Sequence, residues 1–217
     1  MMKGLALGGL LALTAAPAAA AVITPVGVTA TSTLNTGFYS PDNLINSSGL
    51  SGRLHDNFFG AMWASELGVN QAQLTFDLGG TFSLGGASIW NYNFGNPAEF
   101  QSTILRGVQD FRILTSLDGL TFSEVFAGTL ALGTGQPLGA QNFAFTGDAR
   151  FVQIDILNNY GRGTYAERDW NSGLSEVRFL STSAVPEPGT WAMMLIGFGA
   201  VGFSMRRRRP AVHAQVA

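Results

Sequence analysis

Residues 110–119 read DFRILTSLDG, which is a short strand pattern followed by a turn pattern. The segment 111–116 fits a strand bounded by turn residues. The pair Asp118-Gly119, between Leu117 and Leu120, is typical of the tight turn that joins two antiparallel strands. The stretch therefore predicts a β-hairpin whose second strand lies at about 122–126.

Similar strand patterns occur on both sides of this hairpin. Leu74, Phe76 and Leu78 alternate with polar neighbours, which is the period of a strand with one buried face. Further candidate strands are 87–92, 143–145, 151–156 and 177–180, and no run of helical period is convincing between residues 22 and 180. About eight strands separated by Gly, Asn, Ser and Pro predict an all-β fold, a sandwich of two sheets.

The composition suits short strands and turns, and it excludes several classes of function. Gly occurs 28 times, charged residues make up 12%, and Lys3 is the only lysine. The region between the two ends is acidic, and nucleic-acid binding depends on Lys and Arg displacing counterions, so nucleic acid is excluded as a partner. With 0 cysteines, the chain can form no disulfide, no Cys-ligated metal site and no thiol-based centre.

The first 21 residues have the three parts of a secretory signal peptide. A short positive start with Lys3 precedes an apolar run at residues 4–13, and small residues at 15–21 offer A-x-A cleavage sites. The apolar run lacks the polar face that an amphipathic helix of the domain would need. We expect cleavage after Ala20 or Ala21 and export of the rest of the chain.

The other end combines a proline-rich motif, an apolar stretch at 191–205 and an arginine run. Fifteen apolar residues span about 22 Å as a helix, against about 30 Å of membrane hydrocarbon, so the stretch is a marginal transmembrane helix and membrane anchor. Arginines mark the cytoplasmic side of a membrane segment, which places the preceding domain outside the cytoplasm.

This tail resembles the PEP-CTERM sorting signal of Gram-negative bacteria at residues 185–209. The resemblance implies that an exosortase, a membrane-embedded processing enzyme, recognises Pro186, Glu187 and Pro188. The protein would be anchored transiently in the inner membrane and then displayed at the cell surface or in the extracellular matrix. The alternative is that the prolines form a stiff linker into an ordinary membrane anchor. The basic part of the signal comprises Arg206, Arg207, Arg208 and Arg209.

Between the ends, five short blocks, the first made of two segments, follow the order found in discoidin or coagulation-factor C-type domains, which the chain resembles over most of residues 40–179. The resemblance implies a galactose-binding-like jelly-roll sandwich. The predicted organisation is a signal peptide at 1–21, this sandwich at 22–183 and the sorting tail at 184–217. The blocks are DNLIN at 42–46, WAS at 63–65, LTFDLG at 74–79, DFRILTSLDG at 110–119, ARFVQI at 149–154 and GLSEV at 173–177.

The same resemblance implies a structural calcium ion in the loop near residues 43–50. Calcium takes six to eight oxygen ligands, and the ligand set implied here is Asn46, Ser48, the carbonyl region of Leu50, and Glu176. Asn46 stands where the family usually has Asp, so the site would carry less charge. The alternative is that Glu176 pairs with an arginine or caps the loop.

Ligands of such sandwiches are held by loops, through aromatic faces and hydrogen-bond donors. The loops considered are 55–63, 92–100 and 160–170, and the last is the richest in such groups. Its alternative interpretation is a solvated loop stiffened by its own tyrosines. Trp63 and Trp90 are expected to pack in the core or at its rim. The predicted ligand-binding residues are Tyr160, Arg162, Tyr165, Arg168 and Trp170.

No catalytic residue is predicted. His55, the one histidine between the two ends, has the neighbours of a turn residue, and no serine lies in a nucleophile-elbow motif. The sequence therefore favours a non-catalytic, exopolysaccharide-binding surface protein. The alternatives are a structural or adhesion protein of the matrix, and a secreted glycan hydrolase with Asp155 and Glu176 as its carboxylate pair.

Overall fold

The computed structural model describes residues 20–34, 37–98, 102–161 and 171–182, and the backbone of a helix at 188–207. Short 3-10 helices lie at Pro41–Leu44, Phe59–Ala61 and Thr103–Arg106. The predicted all-β fold is confirmed. In chain order the elements are β1 (Val22–Ile23), β2 (Gly27–Ala30), β3 (Leu50–Ser51), β4 (Leu54–His55), β5 (Trp63–Ala64), β6 (Ala72–Asn91), β7 (Asp110–Ser116), β8 (Ser123–Thr129), β9 (Leu138–Gly139), β10 (Gln141–Ile156), β11 (Gly173–Ser181) and α1 (Pro188–Arg207).

Two long strands, β6 and β10, build both layers of the sandwich. They pair with each other along their length, and β10 changes register between Ala144 and Gly147 and again between Ala149 and Phe151. The first half of β6 pairs with β2, and the second half of β10 pairs with β7, which pairs with β8. The second half of β6 pairs with β11, which pairs with β1. A separate small sheet has the order β3-β4-β9.

The core lies between these two layers. Leu74, Phe76 and Leu78 are buried as the alternation predicted, and Val152, Ile154 and Ile156 face the same core from β10. The rings of Phe76, in one layer, and Phe179, in the other, pack edge to face with centroids 5.4 Å apart. Fully burying such a side chain contributes roughly 1.5–3 kcal/mol, so these residues account for much of the stability.

The hairpin predicted from Asp118-Gly119 is confirmed. β7 and β8 pair antiparallel on either side of it. Gly119 has φ 75°, a left-handed conformation that favours glycine. The Asp118 carboxylate accepts the backbone N–H groups of Leu120 at 2.8 Å and Thr121 at 2.9 Å, which fixes the turn.

Strand β6 continues through Asp77, Leu78 and Gly79. Gly79 has φ 79°, and its N–H donates to the Asp77 carboxylate at 2.8 Å, so the chain bends here without leaving the sheet. Arg150 of β10 also pairs with Asp77, with N–O distances of 3.1 and 3.2 Å.

Because β6 and β10 each pass through both layers, their first and last residues meet at one end of the sandwich, which we call the loop end. Ala72 pairs with Ile156 there, and Asn91 pairs with Leu174. The buried Asn91 amide donates to the carbonyls of Val108 and Ala131, each at 2.8 Å. A buried amide is costly unless it is hydrogen-bonded, so Asn91 fixes two of the loops to the end of β6.

The tail contains one helix, α1, where an apolar helix was predicted. The predicted transmembrane helix is not supported, since no helix among the described residues is long and apolar enough to cross a membrane. The sandwich, residues 20–183, and this helix belong to different compact units of the chain.

Candidate functional site

One candidate site is a cleft on the outer face of the layer formed by β1, β11, β6 and β10. Side chains alternate along a strand, so residues between the core positions point outward. Ser88 pairs with Asn142 on one side and with Arg178 on the other, which places the three residues in a row across the sheet. Together with Trp90 and Leu180 they form the floor of the cleft.

The β3–β4 hairpin forms a wall beside this floor. Gly52, at the turn, has φ 64°, and Arg53 follows it. The indole N–H of Trp90 donates to the carbonyl of Arg53 at 3.1 Å and so ties the wall to the floor. The enclosed volume is about 530 Å³, within the usual range of roughly 300–1,000 Å³ for ligand pockets.

Two arginines supply the charge of this cleft. Among the described residues that line it, Arg53 and Arg178 are charged and none carries a carboxylate. The Arg178 guanidinium lies 5.8 Å from the centroid of the Trp90 ring, within the range of a cation–π contact. It also donates to the hydroxyl of Ser47 at 2.9 Å.

Glu176 lies behind Arg178 and holds it in place. Its carboxylate accepts the Arg178 Nε–H at 3.2 Å and the backbone N–H of Ser47 at 3.2 Å. The side chain is only 1% exposed, and this burial raises the pKa of Glu176 to about 7, although both hydrogen bonds act in the opposite direction. Ser47 has φ 64°, a strained conformation for a serine, and its bond to Glu176 helps to hold it there.

In the loop for which calcium was predicted, two of the four implied ligands, Asn46 and Glu176, make contacts within the protein. The Asn46 side-chain oxygen accepts the N–H of Ser48 at 2.8 Å, and Glu176 is bonded to the Arg178 guanidinium. In the part of the chain that the structure describes, no three His, Asp or Glu side chains come together as a metal site. Leu50 lies in β3, paired with His55. The arginine pairing that the sequence left open for Glu176 is present.

A second candidate site is an aromatic cluster at the loop end, made of Phe38, Tyr39, Phe58, Phe59 and Phe94. Phe59 is at its centre, with ring centroids 5.0 Å from Phe58, 5.5 Å from Phe94, 5.7 Å from Phe38 and 6.2 Å from Tyr39. Phe38 is 52% exposed and Phe58 is 56% exposed. The cluster joins two of the predicted ligand loops, 55–63 and 92–100, through Phe59 and Phe94.

Tyr160, at the start of the loop 160–170, is among the described residues, and its side chain supports the fold. Its hydroxyl donates to the carbonyl of Leu130 at 2.6 Å. Partial burial raises its pKa, and the nearby negative charge of Asp110 adds to that effect. The other ligand residues predicted there lie outside the described residues: Arg162, Tyr165, Arg168 and Trp170.

The other residues considered in the sequence make contacts that support the fold. Trp63 is fully buried in the core, as expected, whereas Trp90 is 5% exposed and lies in the floor of the cleft. The buried His55 ring has Nδ1 2.9 Å from the carbonyl oxygen of Asp56. Asp155, suggested as a partner of Glu176, instead accepts hydrogen bonds from Arg112 at 3.2 Å and Gln153 at 2.6 Å.

The tail has a direct match among known protein families. Residues 184–209 match the model of the PEP-CTERM protein-sorting motif. The tail is a PEP-CTERM sorting segment. Within the PEP-CTERM motif, Pro188, Arg206 and Arg207 belong to α1. Pro186, Glu187, Arg208 and Arg209 lie outside the described residues.

The sandwich that precedes the PEP-CTERM motif is similar to solved carbohydrate-binding modules. A module termed CBM32-3, from a family 31 glycoside hydrolase of Clostridium perfringens, has a TM-score of 0.53 at 17% identity, covering 74% of this chain and 95% of that one. The family 32 module of NanJ from the same organism, solved with galactose, has a TM-score of 0.52 at 16% identity, covering 75% and 99%.

A truncated AlyQ, which has CBM32 and alginate lyase domains, has a TM-score of 0.52 at 18% identity, covering 77% of this chain and 35% of that one. No curated protein matches the sequence. At such low identity the structural similarities establish the fold of the sandwich, which is that of a CBM32 or discoidin-like domain.

Proposed function

We propose that this protein is an exported, non-catalytic module that binds extracellular polysaccharide at the bacterial cell surface. Its fold is that of carbohydrate-binding modules, and its tail carries a PEP-CTERM sorting motif. The observation that carries the proposal is the exposed aromatic cluster at the loop end, since sugar rings have apolar faces that stack on aromatic side chains.

The aromatic cluster is suited to this because it is both exposed and supported. Large apolar side chains that share one exposed patch usually mark an interaction surface. Phe59 and Phe94 are partly buried, and Phe94 packs on the small core of Met62 and Tyr92. The N–H of Phe58 donates to the Asp56 carboxylate at 3.0 Å. The exposed rings of Phe38 and Phe58 are therefore presented on a fixed base.

The two ends of the chain support display at the cell surface. We propose that the signal peptide at 1–21 directs export from a Gram-negative cytoplasm and that an exosortase processes the tail at Pro186-Glu187-Pro188 after transient residence at the inner membrane. The support for the second step is the sorting motif at 184–209.

The second candidate is a structural or adhesion protein of the matrix. The aromatic cluster supports this candidate as well, because exposed aromatic side chains also dominate protein–protein contacts. A glycan hydrolase is not favoured, since Asp155 and Glu176 each bond to a different arginine, Arg112 and Arg178.

Binding of the full chain to the host's extracted exopolysaccharide and to a glycan array tests the proposal. We expect saturable binding that Phe58→Ala weakens by up to about tenfold, because stacking on one aromatic ring contributes roughly 0.5–1.5 kcal/mol. The matched control is Leu120→Ala, which removes an apolar side chain that is 86% exposed, at the β7–β8 turn. A folded protein that binds no glycan but associates with itself or a matrix protein would favour the second candidate.

A further inference from the structure

The charge of the cleft differs from that of the domain around it. The full chain has 14 Asp and Glu against 12 Lys and Arg, and four of those arginines lie in the run at 206–209, so the sandwich itself is acidic. The cleft nevertheless has Arg53 and Arg178 as its charged side chains, with no carboxylate among the described residues that line it. It therefore presents positive charge on an acidic protein.

Arg53 is free to bind a ligand. Its backbone is fixed by the hydrogen bond from Trp90, while its side chain is exposed. Within the described residues its guanidinium has no hydrogen-bond or ion-pair partner, whereas Arg112, Arg150 and Arg178 are each ion-paired. Its guanidinium is therefore accessible to a ligand in the cleft.

The contacts of Arg178 orient its guanidinium and leave several of its N–H donors unused. A guanidinium has five N–H donors in one plane. The bonds to Glu176 and Ser47 use the Nε–H and one Nη2–H, and the Trp90 ring lies beside the group. The side chain is 28% exposed, so the remaining donors are accessible from the cleft.

The neutral groups of the floor also favour a ligand rich in acceptors. The Ser88 hydroxyl donates to the side-chain oxygen of Asn142 at 2.7 Å. This bond occupies the acceptor of the amide and leaves its N–H₂ donors for a ligand. Trp90, Leu180 and Val22 supply apolar surface beside these donors.

We propose that this cleft binds an acidic sugar unit of a polysaccharide. The anionic group pairs with Arg53 and Arg178, a ring hydroxyl accepts from Asn142, and the sugar lies against Leu180 and Val22. The inference rests on the proposed function and adds to it a second site, apart from the aromatic cluster, together with the charge of its ligand. Carboxylate and sulfate both match the geometry of guanidinium donors.

The test compares three polymers that differ in their charged group: polygalacturonate, dextran sulfate and unmodified dextran. Affinity of the full chain for each is measured at low and at high salt, for the wild type and for Arg53→Gln. We expect Arg53→Gln to weaken binding to the anionic polymer by about tenfold and to reduce its dependence on salt. Arg150→Gln is the matched control, because it removes the same charge from an exposed site paired with Asp77, outside the cleft.

Preference for polygalacturonate alone would identify a carboxylate ligand, and preference for dextran sulfate alone would identify a sulfate ligand. Either preference supports anion binding in the cleft, provided that Arg53→Gln weakens binding of the preferred polymer. Equal affinity for dextran, or an unchanged affinity in Arg53→Gln, overturns the inference. If anionic polymers do not bind, but neutral glycans bind and Phe58→Ala abolishes that binding, the inference about the cleft is wrong and the proposed function stands. If no glycan of any charge binds, the proposed function fails with it.

Discussion

The Nε–H of Arg178 donates to Glu176 at 3.2 Å, and the receiving carboxylate is 1% exposed. The two residues are two positions apart on β11, so both point to the outer face of the layer. A carboxylate below the surface thereby orients a guanidinium that lines the cleft. The arrangement makes the ionisation of Glu176 relevant to both the stability of the protein and the position of Arg178.

Glu176→Gln should change how stability depends on pH. The pKa of Glu176 is about 7 in the folded protein against an ordinary value of 4.5, so the folded state binds more protons between these values. The free energy of unfolding should therefore fall as the pH rises through this window. Urea unfolding in calcium-free buffer should show a smaller fall in Glu176→Gln than in the wild type. The same fall in both proteins would contradict the raised pKa.

Calcium should have little effect on the melting temperature. A ligand that binds the folded state stabilises it in proportion to its occupancy, but Glu176 is already paired with Arg178 and the Asn46 oxygen accepts from Ser48. Melting curves with millimolar calcium, magnesium or a chelator should coincide. A rise specific to calcium that Asn46→Ala abolishes would instead support the sequence-based prediction of a calcium loop.

Gly86→Ala should destabilise the sandwich by more than about 2 kcal/mol. Gly86 lies in β6 between Ala144 of β10 and Leu180 of β11, and an added Cβ would collide with the carbonyl oxygen of Phe143. Gly27→Ala is the control, since a Cβ there meets nothing within 4 Å. Denaturant unfolding of the two variants measures the difference, and equal stabilities would show that the backbone at Gly86 can move.

Glu187→Ala should prevent processing of the tail. Residues 184–209 match the sorting motif, and Glu187 is its central acidic residue. The protein should then stay in the membrane fraction, with a mass that includes the tail. Replacing Thr190 with alanine, outside the Pro-Glu-Pro triplet, should leave the mature mass unchanged. An unaltered mass in Glu187→Ala would remove the processing claim.

The layers of the sandwich could be predicted because they depend on local alternation. Leu74 and Phe76 follow the period of a strand, and the turn at Asp118-Gly119 has its own sequence signal. The length of β6 could not be predicted. The glycines at 79 and 86 indicate strand ends in the sequence, but in the structure they are bends inside one continuous strand.

The cleft was missed for a different reason. Arg53 and Arg178 are far apart in sequence, and the hydrogen bond from Trp90 to the Arg53 carbonyl that fixes the wall leaves no trace in composition or spacing. Part of the aromatic cluster lies in loops that the sequence indicated. The loops containing Phe59 and Phe94 were candidates, while Phe38 lies in a segment whose tertiary position carries no local signal.

Val22 of β1 lines the cleft, and the neighbouring Ala21 exchanges backbone and side-chain hydrogen bonds with Ser181. Removal of the predicted leader after Ala20 or Ala21 would create a new α-ammonium group at this edge, with an ordinary pKa of about 7.7–8.0. The position of the cut thus sets a third positive charge beside the two arginines. Maturation during export would then be a step in assembling the anion-binding surface, and the uncut precursor would lack part of it.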